Sequence, residues 1–164
     1  MLFIMTNNAE ISLLRHTLAT LAYRGGKSLR SAPESFASFK ASPTTRTPAE
    51  ILAHLGDLFD WALSMANGKV AWNPSTPLPW EQEVARFFKA LQAFDARLTS
   101  GDELKAPAAK LFQGPVADAL THVGQINLLR RMAGAPVKAE NYYKAEISAG
   151  RVGAEQAAPV CEFD

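Results

Sequence analysis

The stretch Thr47-Pro48-Ala49-Glu50-Ile51-Leu52-Ala53-His54-Leu55 decides the fold. Thr47 brings a side-chain oxygen suited to capping a helix. Pro48 has the fixed φ of a first helical residue, and Glu50 stands where it can reach back to the capping N–H. The apolar residues from there on, Ile51, Leu55, Leu58, Ala62 and Met65, recur at helical spacing until Asn67-Gly68 interrupts them. The pattern predicts a helix over residues 48–66.

Working outward, three further segments carry the same period. Ile11, Leu14, Leu18 and Leu21 predict a helix over 8–24, with Gly25-Gly26 as its stop. Trp80, Val84, Phe87, Phe88, Leu91, Phe94 and Leu98 predict one over 79–99, closed by Gly101. The last, over 115–133, opens at Gly114-Pro115 and ends at Gly134 with Pro136 beyond, the expected asymmetry of helix ends. The tail 135–164 offers one short helix around Glu140 to Ser148. Strand-like alternation and internal repeats are both missing from the pattern. The connections are rich in Pro, Ser and Thr (Pro33, Pro43; Pro74, Pro77) and exceed the roughly 2–8 residues that join adjacent antiparallel helices. These observations predict one all-α domain over 1–164, a four-helix bundle with long crossover connections.

Composition narrows the function classes. The 164 residues suffice for one sizeable core, and 48% hydrophobic with 20% charged residues is ordinary globular usage. A net charge of +1 supplies no electrostatic pull toward nucleic acid or an anionic membrane. The densest basic cluster, Arg24, Lys27 and Arg30, reads as a solvated helix face. A single cysteine, Cys161, cannot form an internal disulfide and reads as incidental. The opening MLFIM has no basic flank and is too short for a secretory signal. The stretch Ile51 to Ala66 is broken by His54, Asp57 and Asp60, so it cannot cross a bilayer. A cytoplasmic protein is expected.

The chemistry-bearing residues are few. His16 points away from its helix's apolar stripe and reads as a surface residue. His54 lies on the flank of its stripe, and His122 within the apolar face of the last helix. Asp118 precedes His122 by four residues, so both side chains can converge on one point, with Gln125 one turn later on the same rim. Two histidines from facing helices plus a carboxylate form a ligand set suited to iron, zinc, nickel or manganese. The same residues admit a plainer reading: His122 as a hydrogen-bonded core histidine, Asp118 as a carboxylate favoured by the dipole near a helix start. Asp57 and Asp60 read as surface charges, and Phe87, Phe88 and Phe94 as packing. Arg130 stands on the apolar side of its helix and needs a partner, either at a dimer interface or in a salt bridge at the core edge. Trp61 and Trp72 read as exposed apolar residues.

The run from Thr47 to Leu55, with its histidine, resembles the second helix of the DinB/YfiT-like family. The run Ala119-Leu120-Thr121-His122-Val123-Gly124-Gln125, continuing through Leu129-Arg130-Arg131 to Pro136, resembles that family's fourth helix. The resemblance covers roughly residues 8–137. It implies an up-down-down-up four-helix bundle, often a homodimer, with a divalent metal held by three histidines. Carried over by position, His54 and His122 match two of these, and the third falls on Asp118, a departure that favours harder ions such as manganese or iron, or marks a decayed site. The resemblance further implies a metal-dependent hydrolase or thiol-dependent transferase of stress or detoxification metabolism, acting on a small thiol or electrophile. Gln125 and Arg130 would then orient ligands or substrate. The competing expectation is a non-catalytic dimeric bundle that serves as a binding or structural module.

Overall fold

At Thr47 the capping box is formed. The Thr47 hydroxyl accepts from the Glu50 N–H at 3.2 Å, and the Glu50 carboxylate accepts from the Thr47 N–H at 2.6 Å. Helix α2, Pro48–Ala66, starts there. The computed structural model describes residues 2–163, with side chains from residue 8 onward. The expectation drawn from the apolar opening Met1 to Met5 therefore concerns side chains outside those described.

Helix α1, Leu2–Leu29, is longer than its sequence pattern predicts and passes straight through Gly25-Gly26. The reason is a close approach. A Cβ on Gly25 would stand 3.2 Å from the edge of the Phe87 ring, so this glycine admits an aromatic neighbour instead of ending the helix. The chain turns instead at Ser31, a non-glycine residue at φ 52°. Helix α3, Trp80–Thr99, forms where expected, and Phe87, Phe88 and Phe94 are buried in the core.

The last long helix begins earlier than predicted. Helix α4, Ala108–Leu111, runs on through a π-wound segment, Phe112–Val116, into α5, Ala117–Met132. Pro115 is therefore interior, not a first residue. A proline ring inside an α-helix loses one ladder bond and clashes with the carbonyl four residues back. Winding one turn as i→i+5 relieves both.

The four long helical stretches pack on one core. Helix α2 lies along α3 and α5, and α1 along α5 and α3. Leu18, Leu21, Leu52, Leu55, Phe59, Phe87, Leu91 and Phe94 are fully or almost fully buried between them. At roughly 25 cal/mol per Å² of apolar surface removed from water, each such side chain contributes about 1.5–3 kcal/mol. Among the described residues, no helix is long and apolar enough to cross a membrane.

Three local expectations are corrected by burial. The tail helix around Glu140 to Ser148 does not form. Strand β1, Ala139–Glu140, pairs antiparallel with β2, Glu162–Phe163, and only a 3-10 turn, Tyr142–Lys144, follows. The cause is the Glu140 side chain, buried and accepting from the Tyr23 hydroxyl and the Lys27 ammonium, each at 2.8 Å. Lys27 also reaches Glu162 at 2.7 Å, so it lies inside a buried ion-pair network and not on a solvated face. Asp57 is likewise buried, against expectation, because it faces α3 and meets the Arg86 guanidinium there. Asp60 is exposed and joins the same guanidinium at 2.8 Å.

Candidate metal centre

Two helices bring the candidate ligands together. The capping box sets the start of α2, and His54 follows two turns later on the side that α5 covers. On α5, Asp118 and His122 stand at i and i+4, just beyond the π-wound segment. The two imidazole rings lie 4.7 Å apart between centroids. Asp118 bridges them, with Oδ2 3.4 Å from His54 Nε2 and Oδ1 3.1 Å from His122 Nδ1. One ligand atom from each of the three residues falls within 4.8 Å of the others, close enough to share an ion.

The hydrogen bonding suits such a use. His122 Nδ1 lies 2.9 Å from the backbone carbonyl of Asp118. A carbonyl only accepts, so this bond places the proton on Nδ1 and leaves the Nε2 lone pair free. Metal-binding histidines commonly anchor their second nitrogen in this way. Burial holds the His54 pKa below its ordinary value and the neighbouring His122 adds to the effect, while Asp118 opposes it. His54 is thus kept neutral at pH 7, the form that binds a metal. The imidazole side chains are 20% and 13% exposed and the carboxylate 43%, which puts Asp118 at the mouth of the site.

An aromatic wall covers one side. The Trp72 ring meets His54 edge-on at 5.6 Å and Trp61 at 5.7 Å. Trp61 in turn sits over Gly114 in the π-wound segment, 3.8 Å from where a Cβ would be. Trp72 is exposed, as expected, at 44%, and also packs against the site, whereas Trp61 is half-buried. The connection 67–79 that carries Trp72 is pinned in place. The Ser75 N–H donates to Asp57 at 3.0 Å, Arg86 donates to the Ser75 hydroxyl at 2.7 Å, and the Leu78 N–H donates to buried Glu83 at 2.8 Å. Sequence reading missed this wall. Its signal was a tryptophan inside a Pro-rich connection, which an apolar period search passes over.

The other candidates fall elsewhere. His16 is exposed, as expected. Gln125 is exposed one turn beyond His122, on the rim of an adjoining groove. Arg130 is buried, and its guanidinium donates to the carbonyls of Ala135 at 2.7 Å, Arg30 at 3.1 Å, Ser28 at 3.3 Å and Ser31 at 3.5 Å. Those lie at the end of α1 and the turn just beyond it, and in the turn after α5. Arg130 thus caps two helix ends; among the described residues it forms no salt bridge, and it is not brought to the histidines. Its pKa is lowered by burial. No protein-family model, curated protein or solved structure matches this chain.

Proposed function

We propose that this chain is a divalent-metal protein of the DinB/YfiT-like kind, with His54, Asp118 and His122 as its ligands. The observation that carries the reading is the convergence, within 4.8 Å, of three ligand atoms from helices far apart in sequence. The packing of α1 on α3, α3 on α2, α2 on α5 and α5 on α1 supports a four-helix bundle. The long connection 67–79 is what parallel neighbours α2 and α3 would need in an up-down-down-up order, since it must return along a helix of about 28 Å. A homodimer remains part of the proposal through the family resemblance alone.

When bound, the ion supplies Lewis acidity, polarising an oxygen or sulfur ligand and lowering its pKa toward neutral. The protein's own share is to hold two imidazoles and one carboxylate in place, leave the remaining side open, and exclude water with Trp72 and Trp61. One carboxylate among the ligands favours harder ions such as manganese or ferrous iron over the zinc or nickel that imidazole alone accepts well. This chemistry fits a metal-dependent hydrolase or a thiol-dependent transferase acting on a small thiol or electrophile.

A second reading has its own observation. The His122 Nδ1 bond to the Asp118 carbonyl is also what a purely structural histidine makes, as expected in a non-catalytic bundle with a decayed site. Elemental content decides between them. Untagged protein purified without chelator should carry one equivalent of metal per chain, and His122→Ala and Asp118→Ala should each lose it while keeping their helical content. Protein that takes up no manganese, iron, nickel or zinc, or a His122→Ala variant that retains full uptake, would overturn the metal reading.

A further inference from the structure

Beside the histidines lies a groove of about 370 Å³ that the ligand set does not use. That volume is within the 300–1,000 Å³ typical of small-molecule sites. Its apolar wall is made by Ile51 of α2 with Leu128, Leu129 and Met132 of α5. Ile51 stands one turn before His54, and Gln125, on the same rim, one turn after His122. The groove's lining therefore stands one turn along each helix from a candidate ligand. Leu128 and Met132 are 57% and 53% exposed, so apolar surface is left for a ligand to cover.

Charge at the groove is one-sided. Arg46, just before the start of α2, lines it and makes no hydrogen bond or ion pair among the described residues. Glu50, which feels the Arg46 charge, accepts from the Thr47 N–H in the capping box and does not line the groove. An unpaired guanidinium next to an apolar trough complements a molecule with an anionic head and an apolar body.

We propose that this groove binds a small amphipathic anion, a carboxylate with an alkyl or similar apolar body, its head on Arg46 and Gln125 and its body along Leu128, Leu129 and Met132. The inference deepens the metal reading by naming a substrate class for the same site, yet the groove itself needs no ion. Binding can therefore fail or succeed independently of metal uptake.

The test uses octanoate as probe and octan-1-ol as its uncharged counterpart, titrated calorimetrically into metal-free full-length protein. Octanoate should bind with one site per chain and more tightly than octanol. Arg46→Gln should weaken octanoate about three- to tenfold, an exposed guanidinium's share, and leave octanol unchanged. Leu128→Asp, at an exposed position, should abolish both. The proposal is overturned if neither probe binds at millimolar concentration, or if octanoate binds no better than octanol. It is also overturned if Arg46→Gln leaves octanoate affinity intact. Sedimentation supplies a further check: if Leu128→Asp converts a dimer to a monomer, the groove is a face between copies of this chain and the proposal fails. A chain that binds octanoate but takes up no metal keeps the groove and loses only the metal reading.

Discussion

Asp118 stands nearly three turns inside a continuous helix that begins at Ala108, too deep for a helix-start dipole to account for a carboxylate there. That leaves its two imidazole neighbours as the interactions that fix its place. The i,i+4 pairing with His122 could be read from spacing because both residues share one helix, and His54 from the flank of a well-capped one. Arg130 could not be read correctly, since its partners are backbone carbonyls, three of them some hundred positions away, and a carbonyl leaves no mark in a sequence. Removing that guanidinium tests its role. Arg130→Leu should strip the α1 end of its buried donors and destabilise the fold by about 2–4 kcal/mol in urea unfolding, with metal content unchanged. Loss of metal without loss of stability would instead return Arg130 to the site.

Among the elements, α2 and α5 illustrate how glycine at a close contact differs from glycine in open space. A Cβ on Gly56 would lie 2.9 Å from the Arg86 Cζ, and that guanidinium is tied to Asp57, Asp60 and Ser75. Gly56→Ala should therefore push Arg86 off its partners and cost about 1–3 kcal/mol by thermal unfolding. A Cβ on Gly124, in α5 near the histidines, would meet nothing within 4 Å. Gly124→Ala should stabilise by about 0.5–1 kcal/mol, the helix-propensity gain. Equal effects from the two substitutions would count against the Arg86 geometry. The elements themselves were legible where period and cap agreed, as at α2 and α3. They were misread at Gly25-Gly26 and Pro115, where a usual helix breaker was tolerated because a neighbouring ring or a π-wound turn absorbed the difference.

At the scale of the whole molecule, the tail is held by titratable groups, and this gives stability a pH window. Burial alone would raise the Glu140 pKa, but the bonds from Lys27 and Tyr23 outweigh it and hold the carboxyl below its ordinary range. Its contribution is present above about pH 4.3 and is lost as pH falls through the lower folded value. Burial alone would lower the Lys27 pKa, but its bonds to Glu140 and Glu162 raise it. For Tyr23, burial and the Glu140 bond both raise it. Those two contributions are complete below about pH 10 and fade above it, as the unfolded chain loses its protons first. Stability measured by urea unfolding should thus fall off at both ends, and Tyr23→Phe should soften the alkaline decline. An alkaline limb unaltered in Tyr23→Phe would remove the tyrosine from this account. The all-α class was plain in the sequence. The tail was not, because a single buried glutamate outweighed its local helical preference, and no period reports a contact between residues 27 and 140.

That same contact has a consequence for synthesis. Lys27 finds its acceptors 113 and 135 residues further on, at Glu140 and Glu162. At about 5–20 residues per second, on the order of ten seconds pass on the ribosome between making the ammonium and making its first counter-charge. Through that interval α1 carries a cation on the surface destined to be covered last. The nascent chain is thereby discouraged from closing over that end of α1 until the segment with Glu140 and Glu162 has emerged.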